Sequence, residues 1–111
     1  MKALSALVAI AGAVVIGNTG ALAQTVGDRG AGLAFAREVC TPCHIVAPDQ
    51  LSPPRFASAP DFHGIANAPG MTELSLHAFL SSPHPSMPNL ILSQKEQDDV
   101  IAYILSLRDR K

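Results

Sequence analysis

The sequence contains no tryptophan and a single tyrosine, Tyr103, so large aromatic rings can fill little of any core. Charge of neither sign prevails. Eight Lys and Arg face nine Asp and Glu, a formal net charge of −1, which excludes the basic footprint that nucleic-acid binding calls for. No block of like charges marks an interaction tail. The longest apolar stretch covers residues 3–17, broken only by Ser5, and falls short of the roughly 20 residues a spanning helix needs. No stable membrane insertion is expected. Strand-like alternation and internal repeats are both missing, which argues against a sheet and against a repeat array. There are two cysteines, four positions apart counted inclusively at 40 and 43, too few and too close for a disulfide framework.

The first 23 residues have the pattern of an export leader. Lys2 supplies a positive start, the apolar stretch follows, and Asn18, Thr19 and Gly20 break it ahead of the small-x-small site Ala21-Leu22-Ala23. Cleavage after Ala23 would deliver residues 24–111 to the periplasm, an oxidising compartment. Loss of Lys2 leaves 7 basic against 9 acidic side chains. A single domain over 24–111 has a thin core, and domains of this size often lean on a disulfide, a metal or a cofactor.

An all-α architecture is expected. Residues 28–39 predict a helix with Asp28 as N-cap, although Gly30 and Gly32 weaken it intrinsically. Residues 45–70 hold Pro48, Pro53, Pro54, Pro60 and Pro69, which excludes a long helix there and leaves room for a short one over 61–67. So long an irregular stretch is unusual in a compact domain and makes sense wrapped around a bulky ligand. Thr72 can cap a short helix to about Ser81, with Leu76, Phe79 and Leu80 on one face. Ser93-Gln94-Lys95-Glu96 is a capping box. It opens a final helix whose stripe is Val100, Ile101, Ile104 and Leu105, widened by Tyr103 and Leu107, with Arg108 suited to the negative end.

Cys40-Thr41-Pro42-Cys43-His44 is C-x-x-C-H, the signature of c-type haem attachment. Two thiols at this spacing can reach the two vinyl groups of one porphyrin, and the next residue then lies beneath the ring. His44 is thereby the expected proximal iron ligand. A thioredoxin-type redox pair would need a βαβ context, a disulfide closing so short a loop would stabilise little, and a zinc site would need more ligands. Met87 is the expected second axial ligand, because Pro85 and Pro88 restrict the backbone around a thioether whose bond to iron is weak. His84 is its main competitor, and Met71, His63 and His77 are the remaining ones. Met71 reads as ordinary packing, His77 as a rim residue, and His63 as a donor to a haem propionate or a loop carbonyl.

With these residues in place, the sequence resembles the class I cytochrome c family over about 27–108. The resemblance rests on Gly32 eight residues before Cys40, on Tyr103 within Val100-Ile101-Ala102-Tyr103-Ile104, on Pro60-Asp61-Phe62-His63-Gly64 after the haem motif, and on Met87-Pro88 before a Ser-capped helix. It implies that the terminal helices cross at Gly32 against Tyr103, with a short third helix and a long proline-rich loop around one haem. It implies further that the Pro60 carbonyl (with Pro53 or Pro54 as alternatives) accepts the Nδ1–H of His44 and that Phe62 lines the haem pocket. One covalent haem c with its iron, single-electron transfer between redox protein partners in a respiratory chain, and no enzymatic activity of its own are the functional implications. The alternatives are a cytochrome subunit of a periplasmic dehydrogenase complex, or a haem protein with an open sixth site, peroxidase-like or gas-sensing. The lysine ring used for docking by the mitochondrial proteins is missing: beyond the leader the only lysines are Lys95 and Lys111.

Overall fold

The computed structural model describes residues 26–56, 59–82, 87 and 90–110; the leader expected over 1–23 lies outside them. Four helices follow in order, α1 (Arg29–Val39), α2 (Phe62–Asn67), α3 (Glu73–Ser81) and α4 (Gln94–Ser106), with no strand among the described residues. Three of the helices begin at the polar residue the sequence marks, and Asp61 caps the remaining one. The Asp28 carboxylate accepts from Ala31 N–H at 2.8 Å and the Asp61 carboxylate from Gly64 N–H at 2.7 Å. Thr72 with Ser75, and Ser93 with Glu96, close reciprocal capping boxes at α3 and α4. Such caps satisfy backbone donors that a helix start leaves without partners.

The core is organised around α4. Helix α1 packs along it most extensively, and α2 and α3 each pack on it as well. Val100, Ile101, Ala102, Tyr103 and Ile104 are buried, each of the larger aliphatic ones contributing about 1.5–3 kcal/mol on removal from water. Leu105 and Leu107, placed in the same stripe by the sequence, are only partly buried against this cluster. Ala36 on α1 is wholly buried.

At the α1–α4 crossing the backbones themselves touch. A Cβ on Gly32 would stand 2.0 Å from the Asp99 carbonyl oxygen and 2.9 Å from Tyr103 Cβ, so only glycine allows the helices this close. Gly27, which no sequence pattern singled out, is in the same position: its Cβ would meet the Asp98 carbonyl oxygen at 1.9 Å. Asp99 ties the crossing further. Its buried carboxylate accepts from Asp28 N–H at 2.8 Å and from the Lys95 ammonium at 2.5 Å.

Two side chains have partners that the sequence did not mark. Arg108 serves the end of α4 through its backbone N–H, which donates to the Leu105 carbonyl at 3.4 Å, and not through its side chain. It lies past the helix, and its side chain donates to the Ala66 carbonyl at 3.2 Å and to the Met71 carbonyl, clamping the end of α2. His63 finds a partner within the chain: its Nε2 lies 2.9 Å from an Asp109 carboxylate oxygen. Both follow from the C-terminal segment folding back over α2, where Asn67 also receives Asp109 N–H at 3.0 Å.

Candidate functional site

Helix α1 delivers the C-x-x-C-H motif. It closes at Cys40, whose N–H donates to the Ala36 carbonyl at 2.9 Å. The Cys40 carbonyl then accepts from Cys43 N–H at 3.1 Å and from His44 N–H at 2.9 Å, so residues 40–44 make one more helix-like turn. Both thiols are free and partly buried. Burial, with Cys43 as its near neighbour, pushes the Cys40 thiol up to about 11, so it stays protonated at neutral pH and a poor nucleophile for disulfide exchange.

From His44 the chain turns under a cavity of about 480 Å³, within the range of about 300–1,000 Å³ usual for cofactor clefts. Its walls come from five parts of the chain. Cys43 and His44 supply one side; Phe56, Ala59, Pro60, Phe62 and Ile65 supply the next. Met71 just ahead of α3 and Leu76, Phe79 and Leu80 on it close the next side, and Met87 and Ile104 complete the ring. The lining is apolar apart from the imidazole. Among the described residues no three His, Cys, Asp or Glu side chains gather as a metal cage, so the donors gathered here are thiol, imidazole and thioether.

The His44 ring is held at both face and edge. Its Nδ1 lies 2.6 Å from the Pro60 carbonyl oxygen. A carbonyl can only accept, so Nδ1 carries the proton and Nε2 keeps the lone pair. The Phe62 ring tilts against the imidazole at a centroid distance of 5.4 Å, and Tyr103 stands behind Phe62 at 6.3 Å. Pro60 reaches this place because Phe62 N–H donates to the Ile45 carbonyl at 2.9 Å, docking the start of α2 beside the motif.

Of the six residues expected at the site, the structure brings Cys43, His44, Pro60, Phe62 and Met87 onto the one cavity. Cys40 packs instead against the edge of the core beside it. Met71, which the sequence left as packing, also lines the cavity, its sulfur accepting from the Ser75 hydroxyl at 3.5 Å. His77 is partly buried between α3 and α4, with Nδ1 3.3 Å from the Gln97 amide oxygen and Nε2 3.3 Å from an Asp98 carboxylate oxygen. It lies off the cavity. His84 falls outside the described residues.

No family model and no solved structure matches the chain. Among curated proteins, cytochrome c-552 of Bradyrhizobium diazoefficiens is 40% identical over 96 residues, covering 86% of this chain and 88% of that protein. An all-helical domain with a thiol pair and a histidine at an apolar cavity defines a c-type haem protein, and the extent of this identity makes the chain a member of the class I family of small cytochromes c. It is accordingly an electron carrier holding haem c, and not an enzyme. The residues present fit that group. The cavity is apolar, the Cys43 thiol lines it with Cys40 one turn before, and the histidine on its wall has Nδ1 committed to the Pro60 carbonyl, which leaves Nε2 for a metal. No helix among the described residues is long and apolar enough to cross a membrane.

Proposed function

We propose that the chain is a periplasmic monohaem carrier with His44 and Met87 as axial iron ligands, exchanging single electrons with redox proteins. Cys40 and Cys43 would hold the haem through thioether bonds. The bound haem iron supplies the one-electron chemistry, cycling between ferrous and ferric.

What carries this reading is the hydrogen bond from His44 Nδ1 to the Pro60 carbonyl, with Met87 lining the same cavity. That bond fixes the tautomer, orients Nε2 and raises its basicity. A thioether is a softer and weaker donor than a second imidazole, and Met/His ligation raises the reduction potential. The apolar walls contributed by Phe62, Ile65, Leu76 and Leu80 keep water out and disfavour the more highly charged oxidation state. Placement of Met87 on the cavity supports a filled sixth position over an open one. Export to the periplasm rests on the leader pattern at 1–23.

The test is spectroscopic. Protein made in cells able to attach haem is expected to give a pyridine haemochrome of the two-thioether type and a mass one haem above that of residues 24–111. Met87→Ala is expected to abolish the thioether–iron band of the ferric protein and to let carbon monoxide bind rapidly to the ferrous one. A purified protein whose mass equals the bare polypeptide would overturn the haem assignment. A Met87→Ala variant with an unchanged ferric spectrum would overturn the ligand assignment alone.

A further inference from the structure

The segment 44–46 belongs to no helix or strand, yet its backbone is held at almost every polar group. His44 N–H donates to Cys40, and the Ile45 carbonyl accepts from Phe62 N–H. The Val46 carbonyl accepts the buried Tyr103 hydroxyl at 2.6 Å. Two further groups are taken by a single side chain. Gln50 accepts Val46 N–H on Oε1 at 2.9 Å and donates from Nε2 to the His44 carbonyl at 3.3 Å, and again to the Ser52 carbonyl at 3.0 Å. An N–H partner on one side and two carbonyls on the other leave the amide one orientation. Gln50 is itself braced: its N–H donates to the Ala47 carbonyl at 3.2 Å, and the neighbouring Asp49 makes a two-pronged pair with Arg37 of α1 at 2.9 and 2.8 Å.

We propose that Gln50 is a positioning residue for the axial imidazole, fixing the backbone that carries His44 and so the height and tilt at which Nε2 meets the iron. This rests on the reading of His44 as a ligand. The Pro60 bond alone holds the ring at one point, about which it could still shift. The amide grips the peptide on the other side of the Cα, where a small displacement is carried straight into the ring. Partners bonded to a ligating ring itself alter metal affinity or activity by about 10–100-fold when lost, and Gln50, which acts through the backbone one step further out, is expected to do less.

Two variants of the haem-loaded protein separate positioning from mere support. Gln50→Glu keeps the shape and the acceptor for Val46 N–H, but as a carboxylate it has no hydrogen for the His44 and Ser52 carbonyls. Gln50→Leu removes all three bonds. Both are expected to move the His44 ring resonances and the ferric electron-paramagnetic g-values. Both are also expected to change the ratio of ferric to ferrous stability by about threefold to tenfold, a tenfold change being about 59 mV for a one-electron couple. Asn67→Ala, which removes two of the bonds between the C-terminal segment and α2, is expected to lower the melting temperature without these shifts. In the unaltered protein the Gln50 side-chain amide protons are expected to exchange slowly with solvent. Native spectra and potential in both Gln50 variants, or fast exchange of those protons in the unaltered protein, would overturn the proposal. A failure of the unaltered chain to carry haem would instead remove the reading beneath it.

Discussion

At the scale of single residues, the tightest constraints fall on atoms that are missing. Gly32→Ala would put a methyl group 2.0 Å from the Asp99 carbonyl oxygen, against backbone that cannot swing aside. The helices must part, at a cost of about 1–3 kcal/mol or more, read as a lower melting temperature of the haem-loaded protein. Tyr103→Phe leaves the ring in place and strands the buried Val46 carbonyl, costing about 1–3 kcal/mol by denaturant titration. Gly32 and Tyr103 were both legible in the sequence, because their spacing from the cysteines and within the last helix matches a known pattern. Gly27 was not. It lies just ahead of the helix cap, where a glycine is ordinary, and its need appears only once Asp98 stands beside it. Gln50 was illegible for a similar reason. A glutamine in a proline-rich stretch reads as surface, and its three partners at residues 44, 46 and 52 are joined only by the way the loop coils.

At the scale of elements, the start of α1 hangs on α4 through Asp99. Its carboxyl is held below the usual value, first by the Lys95 ammonium and then by Asp28 N–H. A carboxylate lowered on folding adds stability that is fully present above its unfolded value and is lost as pH falls through the folded one. Asp99→Asn is therefore expected to lower the melting temperature at neutral pH and to flatten its decline as pH falls below the ordinary carboxylate range, followed by circular dichroism. Helix starts were legible to within a residue, since Asp28, Thr72 and Ser93 cap as their chemistry dictates and the short helix after Asp61 falls inside the expected 61–67. The partners of the last segment were not. Arg108 suits its own helix end by charge alone, but the fold presents it with better acceptors at Ala66 and Met71.

At the scale of the whole molecule, a cavity of about 480 Å³ sits inside a domain with few large side chains to spare. Without its cofactor the chain has too little apolar surface to offset the ordering of the 45–70 loop. A Cys40→Ala, Cys43→Ala double variant is expected to lose most of its helical circular-dichroism signal, and retention of native helix content would contradict this. Residues 74–94 contain no Asp, Glu, Lys or Arg, and this stretch carries Met87 and the α3 wall of the cavity. Electron-transfer rates with a redox partner are therefore expected to vary by less than about tenfold between low and high salt, the lower edge of what steering by charge produces.

The pairing of α1 with α4 also sets an order of events. Asp28 and Asp99 are 71 positions apart, and contacts that distant are among the last a growing chain can make. A newly made chain would thus show its thiols on a loose thread until the final helix and the haem together shut the door. A fragment ending before Ser93 should leave both sulfhydryls open to rapid alkylation, and protection in such a truncated chain would mean that closure begins earlier.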